Sequence, residues 1–256
     1  MTGGQVRYEV RGHVAEVVID DPAKRNALSA PVVAGLHAAL DRAAADAAVR
    51  VVTLTAVGHV FCAGADLKDE PRNAGDSDVR ALRATKLFGA LLDCPKPLVA
   101  RVNGHARAAG VGLVGACDIA IATEEATFAI NEVRVGLLPA TVAVPLATRM
   151  APSAMRRYAL TGETFTAADA VRAGLLDDAV AAAGLDAAVA AVTDHFGACE
   201  PDVLQRVKPF FAAVARTTRE QAADLALAES QRAFASPTAA EGRRAFRERR
   251  PPAWST

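Results

Sequence analysis

The sequence predicts an α/β fold with a parallel sheet, followed by a mostly helical C-terminal region. Short β-branched segments alternate with segments of helical periodicity through the first half, which is the pattern of strand–helix–strand units. Beyond Arg149 the helical pattern continues alone. A content of 52% hydrophobic and 23% charged residues is that of an ordinary globular protein.

The predicted elements follow one another in a regular order. Residues 14–19 are β-branched and end at a turn with Pro22, which predicts a strand. A helix follows, with Ser29 as its cap and Pro31 in its first turn. Residues 51–55 do not alternate in polarity, as expected of a strand covered on both faces. Further strands are predicted at 98–102 and 118–122, and helices at 79–92, 153–160, 166–173, 185–195, 202–215 and 219–234.

Composition and cysteine spacing argue against several classes of protein. The 29 basic and 29 acidic residues balance, so we expect no nucleic-acid partner. The four cysteines contain no C-x-x-C pair and the histidines lack ligand spacing, so neither a disulfide framework nor a metal site is predicted. Because the sequence shows no signal peptide and no apolar stretch of bilayer length, we expect a cytoplasmic protein without a membrane partner.

Two turns of small residues follow predicted strands: residues 61–67, the first turn, and residues 103–110, the second turn. In the first turn, no bulky side chain shields the peptide N–H of Ala65. In the second, Ala109 and Gly110 open a helix whose first N–H groups are unpaired and lie at the positive end of the dipole. One such turn alone would indicate a plain connection. Two turns on successive strands favour an oxyanion hole, in which both N–H groups bind one carbonyl oxygen.

Three ordered motifs carry a resemblance to a known family. They are DPAKRNALS at residues 21–29, FCAGADLK at 61–68 and VNGHA at 102–106, with further similarity at 128–139, 158–162, 167–176 and 241–254. Together they resemble the signatures of the crotonase superfamily, the enoyl-CoA hydratase/isomerase family. The resemblance implies a crotonase-like α/β core of repeated β-β-α units at residues 1–195. It also implies a C-terminal helical trimerisation or lid region at 196–256 and a homotrimer or dimer of trimers.

The resemblance also implies an acyl-CoA thioester substrate and the residues that bind it. The peptide N–H groups of Ala65 and Ala109 are expected to bind the thioester oxygen. Arg25 or Lys68 is expected near the phosphates, where an exposed cation is favourable. The residues expected to bind the substrate are Arg25, Ala27, Ala63, Gly64, Asp66, Leu67, Lys68, Gly110 and Gly112. Coenzyme A is then part of the substrate, and no separate cofactor is expected.

The acid/base residues depart from the family pattern. Family hydratases place one glutamate at the position of Gly112 and a second at the position of Glu132, so this chain keeps a single candidate. Phe128 and Ile130 precede Glu132, and apolar surroundings would raise the pKa of its carboxyl. Without the resemblance, a solvated Glu132 paired with Arg134 is the simpler interpretation.

One carboxylate limits the reactions that can follow enolate formation. We predict an enoyl-CoA hydratase of fatty acid metabolism with Glu132 as acid/base, because residues 110–114 and 132–141 resemble hydratases of branched or carboxylated chains such as 3-methylglutaconyl-CoA. The alternative is a Δ3,Δ2-enoyl-CoA isomerase, in which one base moves a proton between C2 and C4. A non-catalytic acyl-CoA-binding or RNA-binding relative is the third possibility, since a fold does not fix a function.

Overall fold

The computed structural model describes residues 5–66 and 74–255, which fall into two units that divide between Thr193 and Asp194. The strands of the described residues are β1 (Val6–Arg11), β2 (Val14–Ile19), β3 (Val51–Ala56), β4 (Val60–Cys62), β5 (Leu98–Val102), β6 (His105–Arg107), β7 (Ile119–Thr123), β8 (Thr127–Ala129), β9 (Phe165–Thr166) and β10 (Asp178–Val180). The helices are α1 (Ala30–Ala45), α2 (Ala74–Leu92), α3 (Ala109–Gly115), α4 (Ala140–Ala147), α5 (Pro152–Thr161), α6 (Ala167–Arg172), α7 (Leu185–His195), α8 (Pro201–Val214), α9 (Arg219–Ala235) and α10 (Pro237–Glu248).

The larger sheet runs in the order β1-β2-β3-β5-β7-β10. Its strands from β2 onward are parallel, and β1 is an antiparallel edge strand paired with β2. Every residue of β3 is buried, which explains why its sequence does not alternate. Helix α1 buries Val32, Leu36, Leu40 and Ala43, which recur at the spacing of one helix face.

A second, smaller sheet positions the site. Its order is β4-β6-β8-β9, and β4, β6 and β8 are parallel to one another. From the sequence, the first and second turns were expected to follow long strands directly. Instead β3 leads into the short strand β4, whose last two residues begin the first turn, and β5 leads into the short strand β6, which lies within the second turn.

The helix predicted at 166–173 has a complete capping box. The Thr166 hydroxyl accepts a hydrogen bond from the Asp169 N–H, and the Asp169 carboxylate accepts one from the Thr166 N–H. Ser29 occupies the cap position of α1 as predicted, but its hydroxyl donates to Gln5 Oε1 at 3.2 Å and caps no N–H of that helix.

The C-terminal unit contains α8, α9 and α10. A carboxylate in α10, that of Glu241, binds the residues that follow this helix. Glu241 accepts hydrogen bonds from Arg244, from Arg250 Nη1 at 2.8 Å and from the Ala253 N–H at 3.2 Å. These guanidinium groups lower the pKa of Glu241 to about 2. No helix in the described ranges has both the length and the apolar content needed to cross a membrane.

Candidate active site

Three parallel strands of the smaller sheet end at one edge, and each is followed by one of the predicted catalytic residues. Ala65 follows β4, Ala109 follows β6 and Glu132 follows β8. Because neighbouring strands lie about 5 Å apart, the three residues follow adjacent strands at the same end of the smaller sheet. This placement makes them candidates for one site.

The first turn leaves the Ala65 N–H available for a ligand. Gly64 has φ +92°, a conformation that favours glycine. The Ala63 N–H donates to Arg25 O at 3.1 Å, and the Leu28 N–H donates to Gly64 O at 2.8 Å. The Ala65 N–H has no acceptor within the described residues. The hydrogen bonds that hold this turn thus use the residues around Ala65 and spare its own N–H.

The second turn contains a strained residue directly before the second donor. Ala108 has φ 48° and ψ −119°, a combination that costs an alanine ~1–3 kcal/mol. It caps α3, and its N–H donates to Ala129 O at 2.9 Å. Ala109 is the first residue of α3, so its N–H has no partner inside the helix. Backbone strain of this kind persists only where the surrounding structure holds it, and it is found most often at functional sites.

The two turns lie against each other with no room for side chains between them. A Cβ atom at Gly64 would lie 2.9 Å from Arg107 O and 3.5 Å from Ala109 N. One at Gly110 would lie 2.3 Å from Cys62 O. Glycine at both positions is therefore what allows the backbone of the first turn to approach the start of α3.

Glu132 has the environment of an acid/base group. It begins a short 3₁₀ helix, Glu132–Val135, and is half-buried. Its Oε2 atom is buried and has no hydrogen-bond partner among the described residues. Burial raises the pKa of Glu132 above its ordinary value of 4.5, and a hydrogen bond from its own peptide N–H opposes this only in part. Arg134 does not neutralise it, because the Arg134 side chain donates to Thr161 O at 3.3 Å.

An aromatic ring fills the space beside Gly112, where family hydratases carry a glutamate. A Cβ atom at Gly112 would lie 2.6 Å from Phe88 Cζ and 3.1 Å from Val142 Cγ1. Phe88 is 1% exposed. Phe88 and Val142 therefore form an apolar wall that takes the space a side chain at residue 112 would need.

The other predicted substrate-binding residues that the structure describes differ in exposure. Arg25 is exposed and Ala27 is buried, on the segment that pairs with the first turn. Asp66 is buried and forms an ion pair with Lys24 at 3.0 Å. Leu67 and Lys68 lie outside the described residues. A surface cleft of about 410 Å³ on β1 and β2, lined by Arg7, Tyr8, Glu9, Glu16 and Val18, contains none of the predicted site residues.

Sequence reasoning did not identify two residues of this region. Asn26 lies in the DPAKRNALS motif, and the signal that could have found it is that asparagine tolerates positive φ better than most residues. Phe88 gave no signal, because its contact with Gly112 joins distant parts of the chain. In the second turn, His105 Nδ1 accepts a hydrogen bond from the Thr127 N–H at 3.2 Å, so His105 supports the smaller sheet.

Comparisons with known proteins identify the family to which the chain belongs. The family model described as enoyl-CoA hydratase/isomerase matches residues 9–256. A Thermus thermophilus protein named "Putative enoyl-CoA hydratase" is 35% identical over 246 residues, which are 94% of this chain and 97% of that protein. The carnitinyl-CoA dehydratase of Proteus mirabilis is 31% identical over 254 residues, or 95% of each chain.

Solved structures give the same result. The crystal structure of an enoyl-CoA hydratase from Mycobacterium smegmatis matches with a TM-score of 0.92 and 33% identity, over 98% of this chain and 99% of that chain. These matches confirm the resemblance found in the sequence and the expected α/β fold class, with its β-β-α units and C-terminal helices.

Proposed function

Because the chain belongs to the enoyl-CoA hydratase/isomerase family, we propose that it forms the enolate of an acyl-CoA thioester and transfers protons through Glu132. The observation that carries this proposal is the buried Oε2 of Glu132, which has no hydrogen-bond partner among the described residues and follows the strand next to those that lead to Ala65 and Ala109. A buried carboxyl group without a salt bridge in the described part of the chain is a candidate for proton transfer.

The two N–H groups would stabilise the enolate. Removing a proton from C2 places negative charge on the thioester oxygen, to which the Ala65 and Ala109 N–H groups would donate hydrogen bonds. Rigid backbone donors need no reorganisation during the reaction, and deleting one donor from such a site typically costs roughly 10²–10³-fold in rate. The close approach of Gly64 and Gly110 to the opposite turn supplies that rigidity.

Glu132 would supply the general base. Burial raises the pKa of its carboxyl, and this brings the basicity of the carboxylate closer to what proton abstraction requires. A positioned base of this type typically contributes ~10²–10⁴-fold.

The apolar wall at Phe88 favours migration of a double bond over addition of water. Starting from a 3-enoyl-CoA, Glu132 would remove a proton from C2 and leave a dienolate whose charge rests on the thioester oxygen. The same carboxyl group would return the proton to C4, which moves the double bond to C2–C3 and leaves Glu132 ionised again. Proton transfer between C2 and C4 needs one base and no bound water, so it suits a site in which Phe88 packs beside Gly112. We therefore place double-bond migration first in this proposal, ahead of the hydration that the sequence resemblance favoured.

Hydration of a 2-enoyl-CoA is the second candidate, and the names of the relatives support it. Glu132 would then take a proton from a water molecule as the water oxygen adds to C3, and the same carboxyl group would return that proton to C2. Relatives are named as an enoyl-CoA hydratase and a carnitinyl-CoA dehydratase. A branched or carboxylated acyl chain remains the prediction for this reaction.

Product analysis with three substrates separates these possibilities. Purified protein is incubated with a 3-enoyl-CoA, with crotonyl-CoA and with 3-methylglutaconyl-CoA, and the products are resolved by chromatography. We expect conversion of the 3-enoyl-CoA to the 2-enoyl-CoA with little water adduct. Water addition faster than double-bond migration would favour the hydratase. Tight binding of acyl-CoA with no turnover of any substrate would favour a non-catalytic relative.

Several expectations from the sequence stay predictions at this point. They are the substrate-binding residues around the first turn, the homotrimer or dimer of trimers, the cytoplasmic location, and the absence of a nucleic-acid partner and of a separate cofactor. The named relatives include bacterial and mitochondrial proteins. A cytoplasmic location is therefore the expectation for a bacterial setting.

A further inference from the structure

The side chain of Asn26 is a buried junction between two loops behind the site. It is 1% exposed and makes three hydrogen bonds. Oδ1 accepts from the Asp21 N–H at 3.0 Å, and Nδ2 donates to Val57 O at 2.9 Å and to Val60 O at 2.6 Å. Oδ1 thus accepts one hydrogen bond and Nδ2 donates both of its hydrogens. A carboxylate in place of this amide would bring an oxygen without a hydrogen against two carbonyl oxygens.

The backbone at Asn26 is shaped for this contact. Arg25 and Asn26 have φ values of 54° and 55°, and the Ala27 N–H closes the turn onto Lys24 O at 3.2 Å. Two successive residues in the left-handed region are unfavourable for L-amino acids, with asparagine among the better tolerated. The turn persists because the Asn26 amide ties it to the β3–β4 connection.

The segment that Asn26 anchors is the one that holds the first turn. We call residues 25–28 the strap. The strap accepts the Ala63 N–H through Arg25 O at 3.1 Å and donates the Leu28 N–H to Gly64 O at 2.8 Å. Leu28 and Ala65 form a parallel bridge. The amide of Asn26 also binds both ends of the connection into β4, through Val57 and Val60. The position of the Ala65 N–H is thus set from two sides by one amide.

We infer that Asn26 is a positioning residue for the Ala65 donor. It touches no substrate atom, and it acts by fixing the strap and the start of β4 so that the Ala65 N–H points at the thioester oxygen. This inference rests on the proposed function, because it requires a thioester carbonyl at that N–H. Loss of the Asn26 hydrogen bonds should weaken carbonyl polarisation in the bound complex and leave the binding of the CoA portion largely intact.

Two variants test this role, and a third serves as the control. Asn26→Asp keeps the shape and removes both donors, while Asn26→Gly keeps the positive φ and removes all three hydrogen bonds, in case the aspartate variant does not fold. The control is Asp177→Asn in the loop before β10. Asp177 anchors the Ala120 N–H at 2.7 Å and Arg149, remote from the turns of the site. It should lower the melting temperature without altering the site.

The first readout does not depend on turnover. A cinnamoyl-CoA-type thioester with an electron-donating ring substituent absorbs at longer wavelength when its carbonyl oxygen accepts hydrogen bonds. We expect a red shift on binding to the wild type, a clearly smaller shift with Asn26→Asp or Asn26→Gly, and the wild-type shift with Asp177→Asn. We also expect kcat to fall roughly 10–100-fold, less than on deletion of a donor, with KM changed less than about threefold.

The outcomes distinguish this inference from the proposed function. A wild-type red shift that persists in both Asn26 variants, with only their melting temperatures lowered, would reduce Asn26 to a structural role. A reduced shift in the variants of a wild type that turns over no enoyl-CoA would support the positioning role and overturn the proposed reaction. No red shift with the wild type would overturn both.

Discussion

The contact between Gly112 and Phe88 gives a quantitative test of the site's architecture. A Cβ atom at residue 112 would lie 2.6 Å from Cζ and 3.0 Å from Cε1 of the Phe88 ring. Separations below about 3 Å are not tolerated in a packed core, so either the ring or helix α3 must move. Phe88 is fully buried, and a displaced ring has no free space to enter.

The expected cost follows from this overlap. Gly112→Ala should lower the free energy of unfolding by ~1–3 kcal/mol, the usual range for overpacking. Phe88→Leu removes the ring atoms that clash and should cost less than the ~3–5 kcal/mol of an alanine replacement. In the double variant the added methyl group occupies vacated space. The two changes should therefore offset each other by ~1–3 kcal/mol, a coupling typical of residues in contact.

Thermal and denaturant unfolding of the four proteins in this cycle measures the coupling. Each kcal/mol corresponds to roughly 2–4 °C for a chain of this size. Gly115→Ala is the matched control, because it adds a methyl group to the same helix but 2.7 Å from Leu146 Cδ2. Phe88→Leu should not rescue it. Additive effects of Gly112→Ala and Phe88→Leu would refute the contact, and with it the apolar wall beside Gly112.

Three further predictions concern protonation and backbone. Burial raises the pKa of Glu132 above 4.5, so the folded state favours the protonated carboxyl. The stability that this preference gives is present at acid pH and is lost as pH rises through the raised pKa. Glu132→Gln should therefore raise the melting temperature at pH 8 but not at pH 4. Gly64→Ala should lower kcat/KM by at least ~10²-fold in steady-state assays, because its Cβ would lie 2.9 Å from Arg107 O. Gly12→Ala is the control: Gly12 also has a positive φ, +59°, but its Cβ would enter open space, so kcat/KM should not change. The neighbouring guanidinium groups lower the pKa of Glu241 to about 2, so its contribution to stability should hold above pH 4.5 and fall between pH 4.5 and 2. In an acid titration followed by circular dichroism, Glu241→Gln should lack this loss of stability.

The sequence predicted the elements whose signals are local. The strands at 14–19 and 98–102 and the helix at 185–195 have the predicted bounds in the structure. Their boundaries are set by nearby turn residues and by a periodicity that persists over several positions. The local sequence around Glu132 is ordinary. The family resemblance is what identified Glu132 as the candidate acid/base residue.

The smaller sheet and the wall beside Gly112 could not be predicted in this way. Strands β4, β6 and β8 have three residues each, too few to show an alternating pattern. The Phe88 contact and the Asn26 junction join residues far apart in sequence, and only the folded chain brings them together. Where the two turns, Glu132 and Phe88 lie relative to the sheet is therefore determined by tertiary packing.

The central claim is that Glu132 is the sole acid/base group of an enolate-forming site. The most direct measurement is the rate at which wild type and Glu132→Gln convert a 3-enoyl-CoA to the conjugated 2-enoyl-CoA, followed by the absorbance of the product at saturating substrate. The glutamine keeps the size of the side chain and cannot act as a base. We expect kcat to fall by at least ~10²-fold with little change in KM. A variant that retains the wild-type kcat would contradict the claim.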